Sequence, residues 1–183
     1  MFAHRINDAE SLQLLEPHHA REVFELVDRN RARLREWFIW VDAVREVEDT
    51  RQFIQKSLAE FASNGAFSAG IVLEGRIVGV IGPHAIDMRN RKCSLGYWLD
   101  GDAQGRGIMT RACRAVVTHL FENLQLERVV IYCAAENHRS RAVAQRLGFA
   151  CEGVHRRAEW LYDHFVDLAS YAALREEWLA AQK

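Results

Sequence analysis

Hydrophobic positions in this chain alternate between a helical period and a strand period. Leu12-Gln13-Leu14-Leu15 alternates like a short first strand, and Pro17 follows where a helix's first turn tolerates proline. Ala20, Val23, Phe24 and Val27 then recur at helical spacing and give one buried face. A second helix is predicted from Thr50 to Phe61, capped by Asp49 or Thr50, with Phe53, Ile54, Leu58 and Phe61 on one side. Between the two helices lies an aromatic run, Trp37-Phe38-Ile39-Trp40-Val41. After it the period drops to two. Phe67 to Leu73 and Arg76 to Ile81 read as a hairpin around Glu74-Gly75, Ile86 to Arg91 as a polar connection, and Lys92 to Leu99 as the next strand. Ile108 to Phe121 is helical, with a broad stripe of Ile108, Met109, Ala112, Cys113, Val116, Val117 and Leu120. Arg128 to Cys133 reads as a buried strand. A short helix from Arg139 to Leu147 has Asn137 as its cap and Gly148 as its end. Two last strands, Phe149 to Trp160 and Phe165 to Leu174, meet at a turn, Tyr162-Asp163-His164.

This order predicts a mixed α/β (α+β) fold, a central sheet flanked by helices, with only the later strand–helix–strand units parallel. A length of 183 residues suits a single domain over 1–183 with one core. The net charge of −1 supplies no bulk field for nucleic acid or an acidic membrane. No apolar run is long enough to span a bilayer, and Met1-Phe2-Ala3-His4-Arg5-Ile6-Asn7 lacks a signal-peptide stretch, so a soluble, cytoplasmic protein is expected. Cys93, Cys113, Cys133 and Cys151 are far apart with no Cys-x-x-Cys pair, which reads as reduced core thiols with no metal site. His18 and His19 are adjacent, point apart on a helix, and are expected in solvent.

The chemistry concentrates in Gln104-Gly105-Arg106-Gly107-Ile108-Met109-Thr110. A Gly-rich turn from strand to helix leaves several backbone N–H groups pointing one way, and the helix dipole adds positive charge there, which suits a pyrophosphate. A Rossmann loop would place a third Gly where Thr110 stands and an acidic residue at the end of the next strand, where Cys133 stands. A P-loop would need Gly-Lys-Ser/Thr, which is absent.

The Gln104 to Met109 sequence resembles the Gln/Arg-x-x-Gly-x-Gly/Ala acetyl-CoA loop of the GNAT N-acetyltransferases. Gly96-Tyr97-Trp98-Leu99, Glu136-Asn137-x-x-Ser140, Leu147-Gly148-Phe149, Trp37-x-x-Trp40, Asp49-Thr50, and Asp167 with Tyr171 resemble the RimJ/RimL branch, the ribosomal-protein N-terminal acetyltransferases. The resemblance spans nearly the whole chain. Met109 departs from the general loop but fits this branch. Ala144 stands where many members carry a Tyr that protonates the departing thiolate.

The resemblance implies an enzyme that uses acetyl-CoA and no metal, and transfers acetyl by direct attack of an amine on the thioester. The amine would most naturally be a protein N-terminal α-amine. A small-amine acetyltransferase, or a non-catalytic CoA-binding module, is the alternative. It also implies a homodimer. Gln104, Gly105, Arg106, Gly107, Ile108, Met109 and Thr110 would hold the cofactor, with an N–H of Tyr97, Trp98 or Leu99 meeting the thioester oxygen. Arg106 would reach a phosphate; Arg111 would reach one or lie on a solvated face. Ser140 faces the sheet on helical spacing and would serve the leaving sulfur, or else bond nearby backbone. Asn137 would bind the cofactor, cap its helix, or do both. The base would be drawn from His84, Asp87, Glu152 and Asp167, with a water relay from His84 or Glu152 preferred. Trp37 and Trp40, with the turn at 162–164, would shape the acceptor entrance or pack the core.

Overall fold

A computed structural model describes residues 3–63 and 65–181. The leader reading at Met1 and Phe2 lies outside them. Eight strands form one mixed sheet in the order β1-β2-β3-β4-β5-β6-β8-β7, flanked by helices. The strands are β1 Ala3–Arg5, β2 Glu10–Leu14, β3 Ala69–Leu73, β4 Arg76–Asp87, β5 Lys92–Leu99, β6 Arg128–Ala134, β7 Ala150–Leu161 and β8 His164–Leu174. The α-helices are α1 Ala20–Arg29, α2 Arg31–Arg35, α3 Val47–Ala62, α4 Ile108–Glu122, α5 His138–Arg146 and α6 Arg175–Ala180. The chain divides into two compact units: residues up to Gly82 with Tyr97–Ala112, and Pro83–Gly96 with all residues from Cys113.

In the first unit, β1 pairs with β2, β2 with β3, and β3 with β4, all antiparallel. β1 is exposed throughout, so hydrophobic spacing carried no sign of it. The buried faces of α1 and α3 supply Ala20, Val23, Leu26 and Ile54, which pack with Leu15, Val72, Ile77 and Val80. Each Val, Leu or Ile among them contributes about 1.5–3 kcal/mol on burial. α3 starts at Val47, earlier than its periodicity suggests, because Asp49 accepts the backbone N–H groups of Arg45 (2.8 Å) and Glu46 (3.0 Å) from inside the first turn. Asp49 and Thr50 are therefore not its cap. Thr50, Ile54 and Ser57 form its buried face, which leaves Phe53 and Phe61 on the exposed flank. His19 is also not in solvent: it is 8% exposed, and its Nδ1 accepts the Glu16 N–H at 2.9 Å. Burial lowers its pKa, and so does the charge of neighbouring His18.

A buried polar knot fixes the end of β5 within this unit. The Asn30 amide donates to Asp100 Oδ1 (3.0 Å) and to the Leu26 carbonyl (2.9 Å), and its Oδ1 accepts the Gly101 N–H (3.1 Å). Arg29 adds an ion pair to Asp100 at 3.1 Å. Its hydrogen bonds to Asn30 and Arg29 lower the Asp100 pKa against the opposing effect of burial.

In the second unit, β5 and β6 are parallel and joined through α4, as the spacing predicted. β6 and β7 also run the same way, yet they are not neighbours, because β8 lies between them and is antiparallel to both. Val116, Val117, Leu120 and Phe121 of α4 are fully buried. After β8, α6 is anchored by buried Trp178. Its indole lies 6.1 Å from both the Phe121 and the Phe149 rings and donates to Thr118 Oγ1 at 3.1 Å. β4 runs on to Asp87, so the predicted connection from Ile86 shortens and His84 belongs to the strand itself.

The cysteine reading holds for three of four residues. Cys93, Cys113 and Cys133 are buried, and Cys151 is exposed on β7. Burial pushes the Cys93 thiol up to about 12 and raises Cys113 and Cys133 as well. Thiolate is the reactive form, so an exposed-thiol reagent at neutral pH should label Cys151 rapidly and the other three only after unfolding. Mass spectrometry of partly labelled protein checks this: early label on Cys93 or Cys113 would contradict the packing.

Candidate functional site

The loop between β5 and α4 takes its shape from two residues with left-handed backbone. Gly105 and Gly107 each have φ of +74°, a conformation that L residues with a Cβ adopt at a cost of roughly 1–2 kcal/mol. The Gly107 carbonyl accepts the Arg111 N–H at 3.1 Å and so begins α4. The N–H groups of Ile108, Met109 and Thr110 are then the first of the helix and have no acceptor within it. The first turn of α4 carries no acidic residue that would compete with an anion. A Cβ on Gly105 would meet nothing within 4 Å, so the cradle is open there. These features fit a bound pyrophosphate. Arg106 is exposed in the same loop.

Arg111 has partners within the first unit. Its Nε and Nη2 donate to the two carboxylate oxygens of Glu10 at 2.8 and 2.6 Å, and Nη2 also donates to the Arg106 carbonyl at 2.9 Å. Its side chain is still 42% exposed, so Arg111 is both ion-paired and in reach of solvent. Glu10 is 7% exposed. Its bond to Arg111 lowers the Glu10 pKa although burial opposes it, and the same bond raises the Arg111 pKa. Sequence reading overlooked Glu10. The signal was there: Glu10 and Leu12 share one face of β2, which puts a carboxylate on the core side and demands a partner.

β5 pairs with β6 over three residue pairs only, from Lys92↔Arg128 to Ser94↔Val130. It then runs on through Leu95 to Leu99, which includes Tyr97, Trp98 and Leu99, one of whose N–H groups was expected to meet a thioester oxygen. Beside that stretch, in the first unit, Trp98 lies 6.2 Å from Trp40, which in turn lies 5.6 Å from Phe38. Arg31 holds this aromatic segment by donating to the Val41 (2.7 Å) and Val44 (2.8 Å) carbonyls. Trp40 and Trp98 are thus brought together on a small core of Val27, Leu34 and Val41, while Trp37 is half-buried after α2.

In the second unit, Asn137 caps α5, its Oδ1 accepting the Ser140 N–H at 3.1 Å. Ser140 is half-buried, and its side chain forms a hydrogen bond with Cys133 at the end of β6. The following Arg141 ties the helix down: Nε donates to Tyr171 Oη (3.0 Å) and Nη1 to the Ala135 carbonyl (2.9 Å). Ala144 is fully buried, 0% exposed. His84 lies over Gly96: a Cβ there would stand 2.6 Å from His84 Nε2.

The candidate bases are placed apart. Glu152 is held in a two-pronged ion pair by Arg128, whose hydrogen bond lowers its pKa and weakens it as a proton acceptor. Asp87 accepts from both the backbone and the side chain of Asn90, which lowers its pKa. Asp167 accepts the Arg157 N–H at 2.7 Å. Among the described residues no cluster of three His, Cys, Asp or Glu could hold a metal ion, and no helix is long and apolar enough to cross a membrane.

The loop geometry yields a direct expectation. At Gly107 a Cβ would strain the backbone and stand 2.7 Å from Arg111 Nη1. Gly107→Ala should therefore weaken CoA binding at least about tenfold by calorimetry. Gly75→Ala is the control, since Gly75 has φ of +79° with open space around it, and should leave CoA binding unchanged.

Known proteins resemble this arrangement over nearly its full length. The family described as Acetyltransferase (GNAT) domain matches residues 11–150. The Bacillus subtilis (strain 168) protein YdaF is 35% identical over 97% of this chain and 98% of its own. The ribosomal-protein-serine acetyltransferase of Escherichia coli (strain K12) is 31% identical over 93% of this chain and 95% of its own. The solved structure of RimL, a ribosomal L7/L12 α-N-protein acetyltransferase in complex with coenzyme A, superposes with a TM-score of 0.91 at 30% identity, covering 94% of this chain and 98% of that one.

Proposed function

This chain belongs to the GNAT family of acetyl-CoA-dependent N-acetyltransferases, and from that premise we propose that its acceptor is the α-amine of a protein N-terminus, of the ribosomal-protein kind. The observation that carries the acceptor is the near-full-length similarity to an acetyltransferase named for a ribosomal-protein serine. Residues 1–183 constitute one N-acetyltransferase domain, which acts in the cytoplasm as a homodimer.

Acetyl-CoA, when bound, supplies an acetyl thioester. The loop from Gln104 to Thr110 holds its pyrophosphate, with Arg106 adding a charged contact. A backbone N–H of Tyr97–Leu99 donates to the thioester oxygen as negative charge develops on it, in the stretch where β5 has left its pairing with β6. Ser140 donates its hydroxyl proton toward the departing sulfur. Its capped, tied-down helix favours that role. The acceptor amine must lose a proton to attack, and His84 takes it through water. His84 is preferred over Glu152 because Arg128 already occupies that carboxylate. Trp40 and Trp98, in aromatic contact, line the acceptor's approach, and Trp37 contributes to it.

Two measurements test this. The first offers acetyl-CoA with ribosomal-protein N-terminal peptides, polyamines and aminoglycosides, and follows thiol release. Peptides with a free α-amine should exceed the other classes at least about tenfold in kcat/KM; polyamines or aminoglycosides turning over faster would replace the acceptor reading with a small-amine one. The second is Ser140→Ala, which should lower kcat by about a hundredfold while CoA affinity stays within about twofold. A variant with wild-type kcat would remove Ser140 from the chemistry.

A further inference from the structure

The pairing of Glu10 with Arg111 joins residues 101 positions apart, and the same guanidinium bonds the Arg106 carbonyl inside the cofactor loop. Buried carboxylates are kept only where they are paired. Glu10 is such a carboxylate, and its pair lies directly beneath the left-handed turn. We propose that Glu10 and Arg111 form a brace that presets the Gly105–Gly107 turn for pyrophosphate, with Arg111 acting on the loop's backbone and not on the phosphate. Glu10 and Arg111 are then positioning residues. This rests on the cofactor role of the loop given above.

The geometry supports each part. The three donors used by Arg111 arise from two nitrogens, Nε and Nη2, which are the edge of the guanidinium that a bidentate carboxylate takes. The remaining nitrogen, Nη1, lies where a Gly107 side chain would be. Arg111 thus spans strand β2, the Arg106 carbonyl and the space over Gly107 at once. One side chain therefore ties the loop, through the Arg106 carbonyl, to the Glu10 carboxylate on β2. Without the brace the loop must be ordered at the moment of binding, and affinity falls by the cost of that ordering.

The test measures CoA binding by calorimetry and backbone hydrogen exchange of residues 104–110 in the ligand-free protein, alongside kcat at saturating acetyl-CoA. Glu10→Gln should raise the CoA dissociation constant about tenfold, accelerate loop exchange, and leave kcat at saturation within about twofold. Glu10 never meets the ligand, so the effect must pass through Arg111. Glu10→Gln combined with Arg111→Met should be no worse than Arg111→Met alone. Arg111→Lys keeps a charge opposite Glu10, preserving the fold, but lacks the fork that also reaches Arg106; it should show the same affinity loss and loop exchange. If Arg111 served the phosphates directly, Glu10→Gln would free it and CoA would bind as well or better, which would overturn the brace. Unchanged loop exchange in folded Arg111→Lys would also overturn it. Failure of wild-type protein to bind CoA would instead defeat the cofactor reading itself.

Discussion

Two backbone angles govern the cofactor end of this molecule. With Gly105 and Gly107 at φ of +74°, the chain reverses sharply enough for the Gly107 carbonyl to take the Arg111 amide and start α4. The direction of the helix, the exposure of its first amides and the reach of Arg111 to Glu10 all follow from that turn. Any residue with a Cβ would pay about 1–2 kcal/mol at each position. A single helix N-terminus contributes only about 0.3–1 kcal/mol toward an anion in exposed settings. That is too little to hold a cofactor, so the loop must work through several preset hydrogen bonds together. Preorganisation, more than charge, is what this sequence provides there.

The proposed leaving-group chemistry meets a different constraint. Ala144 is wholly buried, so the position where many relatives place a Tyr has no room for a phenol unless the surrounding core moves. A serine hydroxyl is a weaker acid than a phenol of pKa about 10. The requirement is also smaller than it looks, because a thiol with a pKa of about 8.5 leaves as a comparatively weak base. In the proposed mechanism a hydrogen bond from Ser140 would meet most of that smaller requirement. Asn137 and Arg141 matter because they fix the helix that carries Ser140, one through its first turn and the other through Tyr171 and the Ala135 carbonyl.

What could be read from the sequence divides along the line between local and tertiary causes. The loop, the α5 cap at Asn137, the Gly148 end and the parallel β5–α4–β6 unit have local signatures, and all are present. Several misreadings turn on burial or on a partner. His18 and His19 look alike in sequence, but a turn at Glu16 buries one of them. Glu152 looks like an available base until Arg128, 24 residues earlier, is found beside it. Cys151 lies in a run that seemed apolar, yet nearly all of β7 faces solvent. The roles of individual site residues belong to the same class, since each depends on what the fold brings near it.

Gly96 shows how a family motif can acquire a physical reason. Within Gly96-Tyr97-Trp98-Leu99 it has no backbone need for glycine, as its φ is not left-handed. Its requirement comes from His84, whose ring occupies the space a Cβ would take, with Nε2 at 2.6 Å and Cδ2 at 2.8 Å from that point. Alanine there would force the imidazole away from β5. Two residues from separate strands therefore constrain each other: the glycine permits the ring, and the ring holds its place only beside a glycine. The absence of a side chain at position 96 is what admits the imidazole. A lone histidine in sequence is most often structural; one that requires its neighbour to be glycine is held for its position, and position is what proton transfer through water depends on.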